Sequence, residues 1–309
     1  VSAQPSSPRR RARLWRAAAA VAVLIGLAGY LVVQYVTGGP GAPQCTVRAE
    51  GDAKDYELSP EQAANAATIS AVASSRGLSE RAVTIALATA MQESGLRNID
   101  FGDRDSVGLF QQRPSQDWGT VQQIMDPVYS AGEFYRHLAK VPGYSRLPLT
   151  VAAQRVQRSG YPQAYAKHEA NAARLTGALS GRDRDAMTCT ESRPVDGQAS
   201  GAAAVRERLV REFGAGVLPR TGDGKGRATG GGSGVTIPVR QSGAVGAGDA
   251  ERRGWELAMW AMAHSAELRI EQISYAGRMW QADDAGKGWQ REPADSAVAA
   301  QHVRIVTAQ

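Results

Sequence analysis

Glu93 carries the clearest chemical potential in this chain. It closes an apolar repeat of Val83, Ala86, Leu87, Ala90 and Met91, spaced by three and four residues as on one face of a helix. Gly95 follows at once, where a helix stops. A carboxyl group in the last turn faces the negative end of the helix dipole, and its position beside the apolar face removes water. Both conditions suit a general acid. A solvated glutamate at a frayed helix end is the competing structural reading. Downstream, residues 98–114 are rich in Gly and Asp and include a short β-like piece at 107–111. Asp105 is the candidate second carboxylate, with Asp100 and Asp103 in the same loop; turn chemistry alone also accounts for aspartates in such a place. Gln111 and Gln112 offer amide donors and acceptors, and Ser94 can orient Glu93.

The elements that position these residues are helical. Ser59-Pro60-Glu61-Gln62 sets an N-cap serine, a proline at the first helical position and Gln at N3, a capping-box variant that opens a helix running to about Ser75. Ser79 caps the helix that ends at Glu93. Asp126-Pro127 opens a third helix carrying Val128, Ala131, Phe134, Tyr135 and Leu138, and Thr150 and Tyr161-Pro162 start two more. Residues 57–180 therefore form an almost wholly helical domain.

Two strings in this domain, ATAMQESGLRN (88–98) and DSVGLFQQRPS (105–115), resemble the lysozyme-like domain of lytic transglycosylases and related bacterial muramidases. In that family a helix ends in Glu-Ser and a β-turn segment carries Gly-Leu-Met-Gln. Here these are Glu93-Ser94 and Gly108-Leu109-Phe110-Gln111, with Phe in place of Met. The stretch LPLTVAAQRVQRSGYPQAYA lies where the family has an Ala-Tyr-Asn-Ala-Gly helix, and Tyr161 is the candidate for its tyrosine. The resemblance covers about residues 57–178. It implies peptidoglycan as the substrate and Glu93 as the acid that cleaves the β-1,4 link between its amino sugars. Ser94, Gly108, Leu109, Phe110, Gln111, Gln112 and Tyr161 would then line the substrate site. In a two-carboxylate mechanism Asp105 is the base or nucleophile. In the lytic route Glu93 alone suffices, and a sugar hydroxyl closes an anhydro ring.

The 309 residues suggest about two domains, and 43% hydrophobic with 21% charged residues exclude a largely disordered chain. The net charge of +6 is local. Arg9, Arg10, Arg11, Arg13 and Arg16 precede residue 37 without any acid, leaving 31 basic against 30 acidic residues elsewhere. With no basic face on a folded domain, nucleic acid is not an expected partner. Residues 17–36 are uncharged and long enough to span a bilayer, and the arginines lie before them, so the expectation is a transmembrane anchor at 17–36 with a cytoplasmic arm at 1–16. A cleaved signal peptide is the alternative. The rest of the chain would then be extracytoplasmic, in contact with peptidoglycan, and Cys45 and Cys189 would pair as a disulfide.

Residues 37–56 and 181–200 read as linkers. The glycine-rich stretch at 222–234 lacks a phosphate-loop pattern. Residues 201–309 read as a small α+β domain, with helices at 203–213 and 251–268 and strands at 234–239, 272–275, 278–281 and 302–307. The stretch from Trp255 to Trp289 resembles a small cell-wall-associated C-terminal domain of actinobacterial exported proteins, itself similar to zinc D,D-peptidases. Those end in an Asp-His-Val-His ligand motif, where this chain has Gln301-His302-Val303-Arg304. Three protein ligands cannot be assembled, so this domain is expected to be non-catalytic, with no metal and no cofactor. His264, inside an apolar helix, reads as packing. The expected fold is thus mainly α: an N-terminal transmembrane helix, an α-helical lysozyme-like domain and a small α+β C-terminal domain. A non-catalytic glycan-binding or scaffold protein of an envelope assembly is the runner-up function.

Overall fold

The computed structural model describes residues 43–49, 51, 54–161, 163–190, 201–219, 234–239, 247–293 and 301–308, together with Val21, Leu24, Gly26 and Leu27. Residues Pro43–Gln309 form one compact unit. The expected cytoplasmic arm lies outside the described residues, as do most of residues 17–36, 191–200 and 222–233.

The transmembrane helix in the expected fold is not upheld. Among the described residues no helix is long and apolar enough to cross a membrane. Crossing needs about 20 consecutive apolar residues, and the four described positions between 17 and 36 do not make such a run.

The helical region opens with α1 (Pro60–Ser75). Ser59 Oγ accepts from Gln62 N, and the Gln62 side chain accepts from Ser59 N, so the expected capping box is closed in both directions. Then follow α2 (Glu80–Glu93), the short α3 (Val121–Ile124), α4 (Pro127–Leu138), α5 (Leu149–Gln157) and α6 (Glu169–Leu179). Asp126 caps α4 through its side chain, as its position before Pro127 predicts. The helix expected from Tyr161-Pro162 is not found at the described residues 161 and 163–165. Tight turns at 163–165 and one 3₁₀ turn (Ala166–His168) precede α6 instead, and they bring the buried Tyr165 ring inward.

Two antiparallel sheets complete the unit. The smaller joins β1 (Cys45–Val47), β2 (Tyr56–Leu58) and β3 (Met187–Cys189) in the order β2-β1-β3, a sheet that the helical expectation for 57–180 and its flanking linkers did not include. Its central pairing sets Cys45 directly opposite Cys189, and the two form the expected disulfide. The larger sheet contains β4 (Gly234–Pro238), β5 (Ile270–Tyr275), β6 (Arg278–Gln281), β7 (Gln290–Arg291) and β8 (His302–Thr307), ordered β4-β8-β5-β6-β7. Val303, Ile305 and Thr307 alternate inward along β8. Before and across this sheet run α7 (Ala202–Phe213) and α8 (Ala247–Ala263). Gly254 lets α8 approach the sheet, since a Cβ there would lie 1.9 Å from the Tyr275 ring.

The two regions share buried surface. α8 packs on α1 and α6, and α7 packs on α1. Trp289 Nε1 donates to Met187 O at 2.9 Å, and Arg211 pairs with Asp126 at 2.5 Å.

Candidate active site

Glu93 is the last residue of α2, half-buried. Its Oε1 accepts a 2.7 Å hydrogen bond from the hydroxyl of Tyr165. Burial, and then the Glu93 carboxylate, push the Tyr165 phenol far above its ordinary value, so it stays a donor. Glu93 has no ion pair with a cation among the described residues. The preceding residue, Gln92, meets His168 Nε2 at 3.2 Å. Burial, and then Lys167, lower the pKa of His168, which favours a neutral ring.

Ser94 ties this helix end to the neighbouring loop. Its buried hydroxyl donates to Leu109 O at 2.8 Å and to Ala90 O at 3.1 Å. Ser94 thus orients the loop against α2. Leu109 and Phe110 are fully buried, and Phe110 stacks on Phe134 with ring centroids 4.7 Å apart, so both act as the root of the loop. Gly108 has φ 79°, and a Cβ there would lie 2.9 Å from Ile124 O, so the turn needs glycine. The short β-like piece exists as one antiparallel bridge, Val107 to Gln112. Gln112 is buried and donates to Ser130 O at 3.0 Å, a structural bond. Gln111 spans the loop, its side-chain amide 3.3 Å from the carbonyls of Phe101 and Gly108. Gln157 on α5 donates to Phe110 O at 2.8 Å, joining a third element to the loop.

Asp105 is fully occupied by its own loop. It accepts from Arg113 Nε at 2.8 Å, Ser115 N at 2.8 Å and Ser115 Oγ at 3.0 Å. The Arg113 guanidinium, and then the Ser115 donors, hold its carboxyl well below the usual carboxylate range. An anion so satisfied is a weak base and a weak nucleophile. Tyr161 is 79% exposed and is bonded through its backbone to Ser159. The tyrosine at Glu93 is Tyr165. The visible signal was the dipeptide Ala164-Tyr165, which repeats the first two letters of Ala-Tyr-Asn-Ala-Gly, whereas Gln157 and His168 had no motif to mark them.

In the C-terminal region His302 starts β8, and His264 follows α8 as a completely buried ring. His264 does more than pack. Its Nε2 lies 3.4 Å from Glu212 and its Nδ1 2.9 Å from Glu267. Burial pulls its pKa down, but the two carboxylates outweigh it and raise it to about 9. Glu212 also accepts from Thr68 on α1 at 2.9 Å and from Trp260 Nε1 at 2.7 Å. Among the described residues no group of three or more His, Cys, Asp or Glu is placed to hold a metal ion.

The Glu93 site therefore has one carboxylate at a helix end, a buried phenol fixed on it and a loop locked beside it. That geometry can deliver a proton to a bound ligand and take one back. No curated protein matches the chain. Residues 194–303 are similar to the C-terminal domain of VldE, a match that begins just before α7 and ends within β8.

Proposed function

We propose that this protein cleaves the β-1,4 glycosidic bond between the amino sugars of peptidoglycan, with Glu93 as its general acid. The observation that carries the reading is the Tyr165–Glu93 hydrogen bond at a helix end that Ser94 joins to the Gly108–Gln111 turn. The Ser94–Leu109 hydrogen bond joins the Glu-Ser and Gly-Leu-Phe-Gln segments, 15 residues apart, and this supports the resemblance to lytic transglycosylases. The disulfide fits an oxidising, extracytoplasmic location.

Glu93 gives its proton to the bridging oxygen as the bond from that oxygen to the anomeric carbon breaks, and positive charge develops on the ring. The resulting carboxylate then removes a proton from the hydroxyl of the same sugar that attacks the anomeric carbon. An anhydro ring closes and Glu93 is reprotonated. Tyr165 holds the carboxylate in place throughout. The engagement of Asp105 by Arg113 and Ser115 favours this single-acid route over one with a second carboxylate.

Digestion of purified peptidoglycan by the full chain, beside Glu93→Gln, tests the reading by mass spectrometry. Anhydro-muramyl products from the wild type, reduced about 10²- to 10⁴-fold in the variant, are expected for loss of a general acid. Reducing ends instead would restore a hydrolytic role to Asp105. Sedimentation with the polymer and no products from either form would leave a wall-binding or scaffold protein.

A further inference from the structure

A pocket of about 460 Å³ lies beside the small sheet, away from Glu93, and Arg48, Arg174, Arg182, Asp183 and Arg184 line it. Four arginines thus line one hollow with a single acidic residue among them. Neighbouring acids offset part of that charge. Arg182 pairs with Asp183 at 3.1 Å and with Glu80, which also takes Arg252 at 2.5 Å. Arg48 lies 3.5 Å from Asp185, which Arg278 already holds at 2.6 Å, and Arg184 pairs with Glu251 at 2.9 Å. Against these six arginines stand four carboxylates, and Asp55 brings a fifth to the rim, accepting from Ala49 N at 2.9 Å, so arginine still outnumbers acid around the hollow. Arg174 has only a neutral acceptor, Lys54 O at 2.9 Å, and no ion pair among the described residues.

The framework under these charges is fixed. Arg48 follows β1, and its backbone N–H donates to Ala186 O at 2.9 Å, extending a pairing that the Cys45–Cys189 bond locks. Arg174 stands on α6. Gly177, one turn further on, makes room for the Arg182–Asp183 pair, because a Cβ there would lie 1.9 Å from Asp183 Oδ2 and 2.4 Å from Arg182 Nη2. The side chains of Arg48 and Arg184 remain 60% and 66% exposed, so a ligand can reach them from solvent although each already has one partner, Asp185 and Glu251.

We propose that this pocket binds a multiply charged phosphoryl group. Guanidinium forks match the oxygens of a phosphate and stay charged at every relevant pH. An excess of guanidinium over carboxylate around one hollow suits a phosphoryl anion, whose several oxygens can take more than one fork. The phosphoryl group can come from a soluble phosphate ester or from a phospholipid headgroup. The proposal stands apart from the Glu93 site, and its failure leaves that reading intact.

Titration calorimetry of the full chain with pyrophosphate at physiological salt tests the soluble source, and flotation with phosphatidic acid/phosphatidylcholine vesicles tests the headgroup. Saturable binding in either arm, weakened at least tenfold by Arg174→Gln, partly restored by Arg174→Lys and unchanged by Arg291→Gln on β7, is the expected result. Absence of saturable binding to the wild type in both arms overturns the proposal whether or not the variants fold. Equal weakening by Arg291→Gln also overturns it, since diffuse surface charge would then explain the binding.

Discussion

The hydroxyl of Tyr165 and the carboxylate of Glu93 meet at 2.7 Å, although 72 residues of chain separate them. A hydrogen bond to a charged partner contributes about 1.5–3 kcal/mol. Tyr165→Phe should therefore lower kcat on peptidoglycan by roughly ten- to a hundredfold, with KM nearly unchanged. Steady-state release of muropeptides, with a circular-dichroism melt to verify folding, measures this. An unchanged kcat would remove Tyr165 from the machinery.

Asp105→Asn separates the two routes of glycosidic cleavage. The variant loses part of its loop's bonding to Arg113 and Ser115 but should keep most of the activity that Glu93→Gln abolishes. Parallel digestion assays on the two variants decide the matter. A loss as deep as that of Glu93→Gln would make Asp105 a reacting group.

Ser94→Ala deletes the donor to Leu109 O beneath the loop. Leaving a buried carbonyl unpaired costs about 1–3 kcal/mol, so the urea midpoint should fall accordingly. The same variant should lose activity, because the Gly108–Gln111 turn is then free to move away from the helix end.

The elements around Glu93 were legible wherever a local rule sets them. The capping box at Ser59 and the Asp126-Pro127 start are short-range signals, and each stands where the residues put it; in the C-terminal region the strand expected at 302–307 does too. Three features were not legible. The three-residue strands β1, β2 and β3 are too short to show a period of two, and they exist because long-range pairing and the disulfide hold them. Tyr165 reaches Glu93 by a succession of turns, whereas the sequence around Tyr161-Pro162 suggested a helix start. His264 looked like packing because its charged partners, Glu212 and Glu267, come from a distant helix and from the following turn.

That buried histidine makes stability depend on pH in a definite direction. Its pKa is raised from 6.5 to about 9 by Glu212 and Glu267 against the opposing effect of burial. Its contribution is whole below about pH 6.5 and is lost as pH rises through about 9. Glu267 behaves oppositely. Burial raises its pKa, but His264 and then Arg208 more than reverse this and hold it at about 2, below the ordinary 4.5. Its contribution is whole above 4.5 and is lost as pH falls through about 2. Chemical denaturation across pH 5–10 should show stability declining on the alkaline side, and His264→Gln should flatten that decline. An identical alkaline slope in the variant would assign the effect to other groups.

The cross-strand bond between Cys45 and Cys189 also sets a path for force. A pull applied upstream of residue 45 and resisted at the C-terminal region travels through the sulfur atoms and onward from residue 189. The intervening 143 residues, with Glu93 and Tyr165 among them, hang from that covalent shortcut as an unloaded side loop. Tension along the chain would thus bypass the carboxylate and its phenol, and reduction of the bond would place both directly in line with the load.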